Sequence, residues 1–184
     1  MSLTKTPICN FGEKAINFKL LSTENKKISL ADVKGENGTL VMFICNHCPY
    51  VKAVIKNIVD DVKFLNEIGI KSVGIMSNDV KNYPDDSFEN MISFSKLHNF
   101  TFPYLIDETQ QIAKEYGAVC TPDFFGYNKN LELQYRGRIR ELKDLKAVNT
   151  GDSDLRNAMK LVAKTGKGPD NQIPSMGCNI KWFK

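Results

Sequence analysis

Apolar and polar positions along the chain fall into blocks whose period switches between two and nearly four. Residues 39–45, Thr-Leu-Val-Met-Phe-Ile-Cys, are a short continuous β-rich run, the signature of a strand buried on both faces. Val51, Val54, Ile55, Ile58, Val59, Val62 and Leu65 then recur at helical spacing, with Gly69 where a helix-terminating residue belongs. Ile70–Met76 reads as a second buried strand. Asp86 and Glu89 have the spacing of a capping box for a helix carrying Phe88, Met91, Ile92 and Leu97. Asp107 and Gln110 are placed to cap a shorter helix with Ile112, Ala113 and Tyr116, closed by Gly117. Residues 17–22 and 26–29 flank a polar Glu24-Asn25-Lys26 turn and predict a hairpin. A second hairpin joins Pro122–Tyr127 to Leu131–Arg136. In its second strand Leu131, Leu133 and Tyr135 point one way and Glu132, Gln134 and Arg136 the other. Leu155, Ala158, Met159 and Val162 mark a last helix ending near Gly166. The predicted order is ββ-β-α-β-α-(β)-α-β-β-α, an α/β architecture.

No repeat, low-complexity tract or internal linker divides the chain, so residues 1–164 are expected to form one domain and 165–184 a distinct tail. That tail contains Pro174-Ser175-Met176-Gly177-Cys178-Asn179-Ile180-Lys181-Trp182 and the only tryptophan. It is apolar enough to pack back on the domain. With 184 residues, 42% of them hydrophobic, such a chain buries roughly 70% of its unfolded surface and needs no disulfide staples. A net charge of +4 with basic residues spread throughout does not argue for nucleic acid or a membrane surface. The longest apolar run, Leu40 to Cys45, is far short of the ~18 residues of a spanning helix. The first residues, Met-Ser-Leu-Thr-Lys-Thr-Pro, develop no apolar export signal, and a cytoplasmic protein is expected.

Five cysteines at uneven spacing make a poor disulfide framework and point to catalysis or metal. The strongest feature is Cys45-Asn46-His47-Cys48 at the junction of the first core strand and the long helix. Two residues between thiols at a helix start let a second thiol displace a mixed disulfide. The helix N-terminus lowers a thiol pKa, and His47 is placed to lower it further. Half a zinc site, or two core cysteines, remain alternatives for the motif taken alone. If Cys48 is the N-cap, Pro49 is the first helical residue, its favoured place; if the helix begins earlier, Pro49 deletes one early hydrogen bond. Both versions leave Cys45 the more exposed thiol and the attacking one. Cys120 reads as a small buried hydrophobe, His98 as a surface residue at a helix end, and Cys9 carries no signal. The bland reading of Cys178 is a packed tail residue.

Tyr116-Gly117-Ala118-Val119-Cys120-Thr121-Pro122-Asp123-Phe124-Phe125 resembles the thioredoxin-superfamily stretch that leads into the cis-proline strand. Phe18-Lys19-Leu20 with Ile28–Gly35, and Phe102–Asp107, resemble the redoxin branch, which holds the alkyl hydroperoxide reductase/thiol-specific antioxidant proteins. The resemblance covers residues 15–137 well. It implies a thioredoxin fold, a central mixed sheet flanked by helices on both faces with an added N-terminal hairpin. It also implies a cis Pro122 facing the Cys-x-x-Cys, with Thr121 and Pro122 shaping a docking groove for a substrate strand. His47 beside the second cysteine resembles the oxidising members of the superfamily. Two departures stand out. The buried acid of thioredoxin proper is replaced by an apolar residue near Met42. The peroxidase motif is incomplete, because Cys45 stands at its threonine and Val41 at its proline, and no arginine lies near the Thr121-Pro122 strand start.

The expected function is therefore thiol–disulfide exchange by Cys45 and Cys48. The partners are protein or small-molecule disulfides and a thiol reductant; no cofactor is required. A thiol-dependent peroxidase and a metal-binding protein using the Cys-x-x-Cys with His47 are the rivals. The sequence does not give the oligomeric state.

Overall fold

The computed structural model describes residues 3–7 and 10–184; Cys9 lies outside the described residues. Twelve strands, four α-helices and one short 3-10 helix (Pro84–Asp86) follow one another along them. Strand β1 is Leu3–Lys5, and the hairpin is β2 (Lys19–Ser22) and β3 (Lys27–Ser29), turning through Asn25 at φ 64°. Strand β4 (Gly38–Phe43) runs into helix α1 (Pro49–Glu67), and β5 is Ile70–Met76. Helix α2 (Phe88–Leu97), β6 (Tyr104–Ile106) and α3 (Gln111–Tyr116) follow. Then come β7 (Cys120–Thr121), β8 (Asp123–Asn128), β9 (Leu133–Tyr135), β10 (Leu142–Lys143) and β11 (Lys146–Ala147). Helix α4 (Asp154–Thr165) and β12 (Met176–Asn179) complete the chain.

Seven strands form the central sheet in the order β3-β2-β6-β5-β4-β8-β9, with β4, β5 and β6 parallel and the rest antiparallel. The two-residue period of a strand sorts the core into two layers. Leu40 and Met42 of β4 meet α1, α2 and α4 on one face, while Val41 and Phe43 meet Ala113 and Tyr116 of α3 on the other. This is the mixed sheet with helices on both faces that the sequence predicted. No helix among the described residues is long and apolar enough to cross a membrane.

Three local readings are corrected. Helix α2 is capped by Ser87, whose side chain accepts from the Asn90 amide; Asp86 turns inward instead. Asp107 does hold the start of α3, accepting from the Ala113 amide at 2.9 Å. Gln110, however, spends its side chain on the C-terminal segment. Its amide donates to the carbonyls of Ser77 and Lys181, and its oxygen accepts from the Phe183 amide. Arg136 is buried rather than outward-facing, because the β8–β9 register shifts between Leu133 and Tyr135, which lie in opposite core layers, and Arg136 turns to the Leu133 side. Its guanidinium lies 4.4 Å from the Phe125 ring centre.

Arg136 pairs with Asp123 at 2.9 Å and also donates to the Gly117 carbonyl at 2.8 Å. Asp123 is the residue after Pro122, so this pair clamps the start of β8 to the turn that leads into β7. An arginine therefore does lie near that strand start, contrary to expectation, but the Asp123 carboxylate engages it. Burial outweighs the arginine and leaves the Asp123 pKa raised. Removing one member of a buried pair leaves an uncompensated charge. Arg136→Ala should lower stability by about 3–5 kcal/mol, and Asp123→Leu in an Arg136→Met background should recover most of it. Denaturant unfolding of the three proteins checks this; equal losses in single and double variants would refute the clamp.

Candidate active site

Strand β4 ends at Phe43, and the chain turns through Ile44, Cys45, Asn46 and His47 before α1 begins at Pro49. Cys48 is the N-cap, with extended backbone angles, and Pro49 occupies the first helical turn. Proline is at home there because its missing N–H has no intrahelical partner to lose.

Both active-motif sulfurs converge on Thr121. Cys45 Sγ lies 3.3 Å from the Thr121 hydroxyl, and Cys48 Sγ lies 3.1 Å from the Thr121 carbonyl oxygen, to which it donates when protonated. The Thr121–Pro122 peptide bond is cis. The structure thus brings together Cys45, Cys48, Thr121 and Pro122. The four described cysteines are all thiols. Cys45 is 1% exposed and Cys48 0%, so the expectation of a more exposed Cys45 does not hold. Thr121, the loop around Asp86 and β12 together cover the pair.

Charge separates the two sulfurs where exposure does not. Burial, then the neighbouring Cys48 sulfur, pushes the Cys45 thiol well above its ordinary pKa. The Cys45 proton in turn favours a Cys48 thiolate, and despite its burial the amide of Val51 at the helix start helps lower Cys48 to about 5. The pair holds one proton between two sulfurs, with Cys48 shifted down and Cys45 shifted up.

Asp86, missed from the sequence, organises the turn. Its carboxylate is fully buried and accepts from the Asn46 amide at 2.8 Å, the His47 amide at 3.2 Å and the Asn78 side chain at 2.8 Å. His47 Nδ1 meets it at 2.6 Å. The capping-box spacing to Glu89 hid this role, and only the return of the chain after β5 brings Asp86 to the motif. Tyr104 completes the shell, donating its hydroxyl to the Asn46 side chain at 2.9 Å. The buried acid near Met42 is indeed absent, but Asp86 supplies a carboxylate from another element.

His47 stacks on Tyr83 with ring centres 5.6 Å apart. Its pKa is raised, chiefly by the hydrogen bond to Asp86, against the opposing effect of burial; the charge on Cys48 adds to the rise. Burial works to raise the Asp86 pKa, yet the hydrogen bonds from His47 and Asn78 outweigh it and hold the group below its ordinary value. His47 therefore acts on the thiols through Asp86 as well as directly, because it neutralises a carboxylate that otherwise raises Cys45. The ligand atoms of Cys45, His47 and Asp86 lie within 4.8 Å of one another. Here His47 Nδ1 and Asp86 already satisfy each other, so a metal would have to break that pair. His98 sits at the end of α2 against Phe94, away from this site. Cys120 is buried with a strongly raised pKa.

A two-cysteine motif on the strand-to-helix turn of a mixed sheet, facing a cis-proline strand, defines a thioredoxin-fold protein. The chain belongs to the AhpC/TSA family, whose model matches residues 11–142. It is 29% identical over 144 residues to the thiol-disulfide oxidoreductase ResA of Bacillus thuringiensis subsp. konkukian, covering 76% of this chain and 73% of that one. An uncharacterized conserved protein from Geobacillus kaustophilus has a crystal structure that superposes with a TM-score of 0.94 at 37% identity. That match covers 100% of this chain and 97% of the other. A hypothetical protein from Sinorhizobium meliloti 1021 superposes at 0.90 with 34% identity, over 98% of each chain.

The Asp86–His47 pair yields a direct test. Asp86→Asn removes the anion that raises the His47 pKa, so the imidazole should titrate closer to its ordinary value of ~6.5. The ring-proton chemical shifts of His47 followed against pH read this out. An unchanged midpoint would mean that Asp86 does not hold the histidine.

Proposed function

We propose that this chain is a thiol–disulfide oxidoreductase that cycles Cys45 and Cys48 between dithiol and disulfide. The convergence of both sulfurs on Thr121, at the start of a helix and beside Pro122, carries the reading. The lowered pKa of Cys48 and the raised one of Cys45 reverse the roles the sequence suggested: the Cys48 thiolate attacks a substrate disulfide and forms a mixed disulfide with it. Cys45 then gives up its proton, attacks Cys48, and releases the substrate as a dithiol. The oxidised protein runs the sequence backwards, and a thiol reductant restores it. Once β12 leaves the edge of β7, Thr121 offers backbone groups to a substrate strand, and Pro122, lacking an N–H, adds no donor there. His47 keeps the Asp86 charge from weakening the thiolate. The substrates are protein or small-molecule disulfides in a reducing, cytoplasmic setting. The likeness to ResA supports this activity over peroxide reduction. Cys45 stands where a peroxidase places threonine, and Arg136 is held by Asp123.

Thiolate absorbance of the reduced protein should titrate with a midpoint of about 5. Cys48→Ser should abolish that transition, while Cys45→Ala should keep it and move it upward, because the thiol proton that stabilises the anion is gone. The sign for stability follows from the lowered pKa. Between about 5 and the ordinary thiol value of ~8.5, the unfolded state binds one more proton at Cys48 than the folded state. The stability advantage of reduced wild type over Cys48→Ser should therefore grow as pH rises through that window. Turnover of a disulfide-linked peptide, lost in both single variants and exceeding turnover of hydrogen peroxide, checks the activity. The reverse preference would replace this reading with the peroxidase.

A further inference from the structure

The edge of β7 that a substrate strand needs is already occupied. Strand β12 pairs antiparallel with β7, setting Cys178 opposite Thr121 and Asn179 opposite Cys120. The strap is held closely along its length. Ser175 donates its hydroxyl to the Pro122 carbonyl at 2.7 Å, and the Ile180 amide donates to the Val119 carbonyl at 3.1 Å. A Cβ at Gly177 would collide with the Thr121 carbonyl oxygen, so only glycine lets the strap approach this near. On its other edge β12 pairs with β1, with Leu3 opposite Cys178.

This register sets a third thiol at the site. Cys178 is 2% exposed and belongs to the same buried cluster as Cys45 and Cys48. Its side chain is within hydrogen-bonding reach of Cys48, and each shifts the other's pKa, Cys48 down and Cys178 up. Thr121, opposite Cys178, is the residue on which the other two sulfurs converge. The three thiols form a chain with Cys48 in the middle.

We propose that Cys178 is a third redox cysteine, which takes Cys48 from the Cys45–Cys48 disulfide by intramolecular exchange and locks the strap in the docking groove. The proposal rests on the reading of Cys45 and Cys48 as a redox pair. The Cys178 thiol loses its proton and attacks Cys48 Sγ. The Cys48–Cys178 bond forms as the Cys45–Cys48 bond breaks, and Cys45 leaves as a thiolate that takes up the proton. One disulfide stands before and after, so no external oxidant or reductant is consumed. The strap is then a tethered stand-in for substrate, with Cys178 where a substrate cysteine would lie. Attack by Cys45 on Cys48 reverses the step and frees the strap.

The test is disulfide mapping by mass spectrometry on the full chain, oxidised with glutathione disulfide and then alkylated. Wild type should yield both the Cys45–Cys48 and the Cys48–Cys178 linked peptides. Cys45→Ser should yield Cys48–Cys178, and Cys178→Ser only Cys45–Cys48. Loss of the Cys48–Cys178 peptide from both wild type and Cys45→Ser, with Cys178 fully alkylated, would overturn the proposal while the pair in Cys178→Ser keeps the exchange reading intact. Absence of Cys45–Cys48 in wild type and in Cys178→Ser would overturn both. The wild-type mapping involves no substitution, so a misfolded variant cannot decide the outcome.

Discussion

Thr121 is the point on which the site depends. Its hydroxyl meets Cys45, its carbonyl faces Cys48, and its backbone pairs with the strap at Cys178. Strand pairing makes this arrangement specific, because side chains alternate with a period of two. A slip of one residue in β12 would turn Cys178 to the opposite face. The position of Thr121 is fixed in turn by its neighbours. Pro122 follows it, Asp123 is clamped by Arg136, and Arg136 reaches back to the Gly117 carbonyl before β7 begins. Thus a buried ion pair outside the motif sets where the two sulfurs find their common partner.

The electrostatics of the turn resolve a conflict. A thiolate buried without compensation is strongly disfavoured, and a buried carboxylate nearby makes it worse. Asp86 is needed structurally, because the Asn46 and His47 amides point inward and require an acceptor. His47 removes the conflict by pairing with it at 2.6 Å. With that pair close to neutral, the helix start and the Cys45 proton can hold the charge on Cys48. Histidine therefore works here mainly by cancelling a charge that the backbone geometry demands, a different account from a cation placed simply to attract a thiolate.

What was legible in the sequence was what local periodicity encodes. The buried run at 39–45, the helical spacing from Val51 to Leu65 and the strand at Ile70–Met76 each bury a face through contacts that recur every two or nearly four residues. The family resemblance added the cis bond at Pro122. The remainder depends on pairings between distant segments. Asp86 carries a capping-box spacing that Ser87 in fact fulfils, and its true partners are 39 and 40 residues away in the motif turn. Arg136 sits in the polar phase of an alternating strand, and the register shift between Leu133 and Tyr135 moves it to the face of Phe125, where Asp123 takes the guanidinium. Met176-Gly177-Cys178-Asn179 has no alternation that announces a strand. Its register comes from the Gly177 contact and the Ser175 hydrogen bond, neither of which is a local signal.

Burial hides the sulfurs whatever their protonation. The strap that covers them is paired on both edges, to β1 and to β7. Local opening costs free energy that grows with the number of buried contacts released. Beyond β12 the segment is tied further by the Lys181 carbonyl, which accepts from the Asp79 amide and the Gln110 side chain. A strand that pairs with Thr121 must replace the hydrogen bonds that β12 gives up, so whatever opens the site competes with the strap for the same backbone groups.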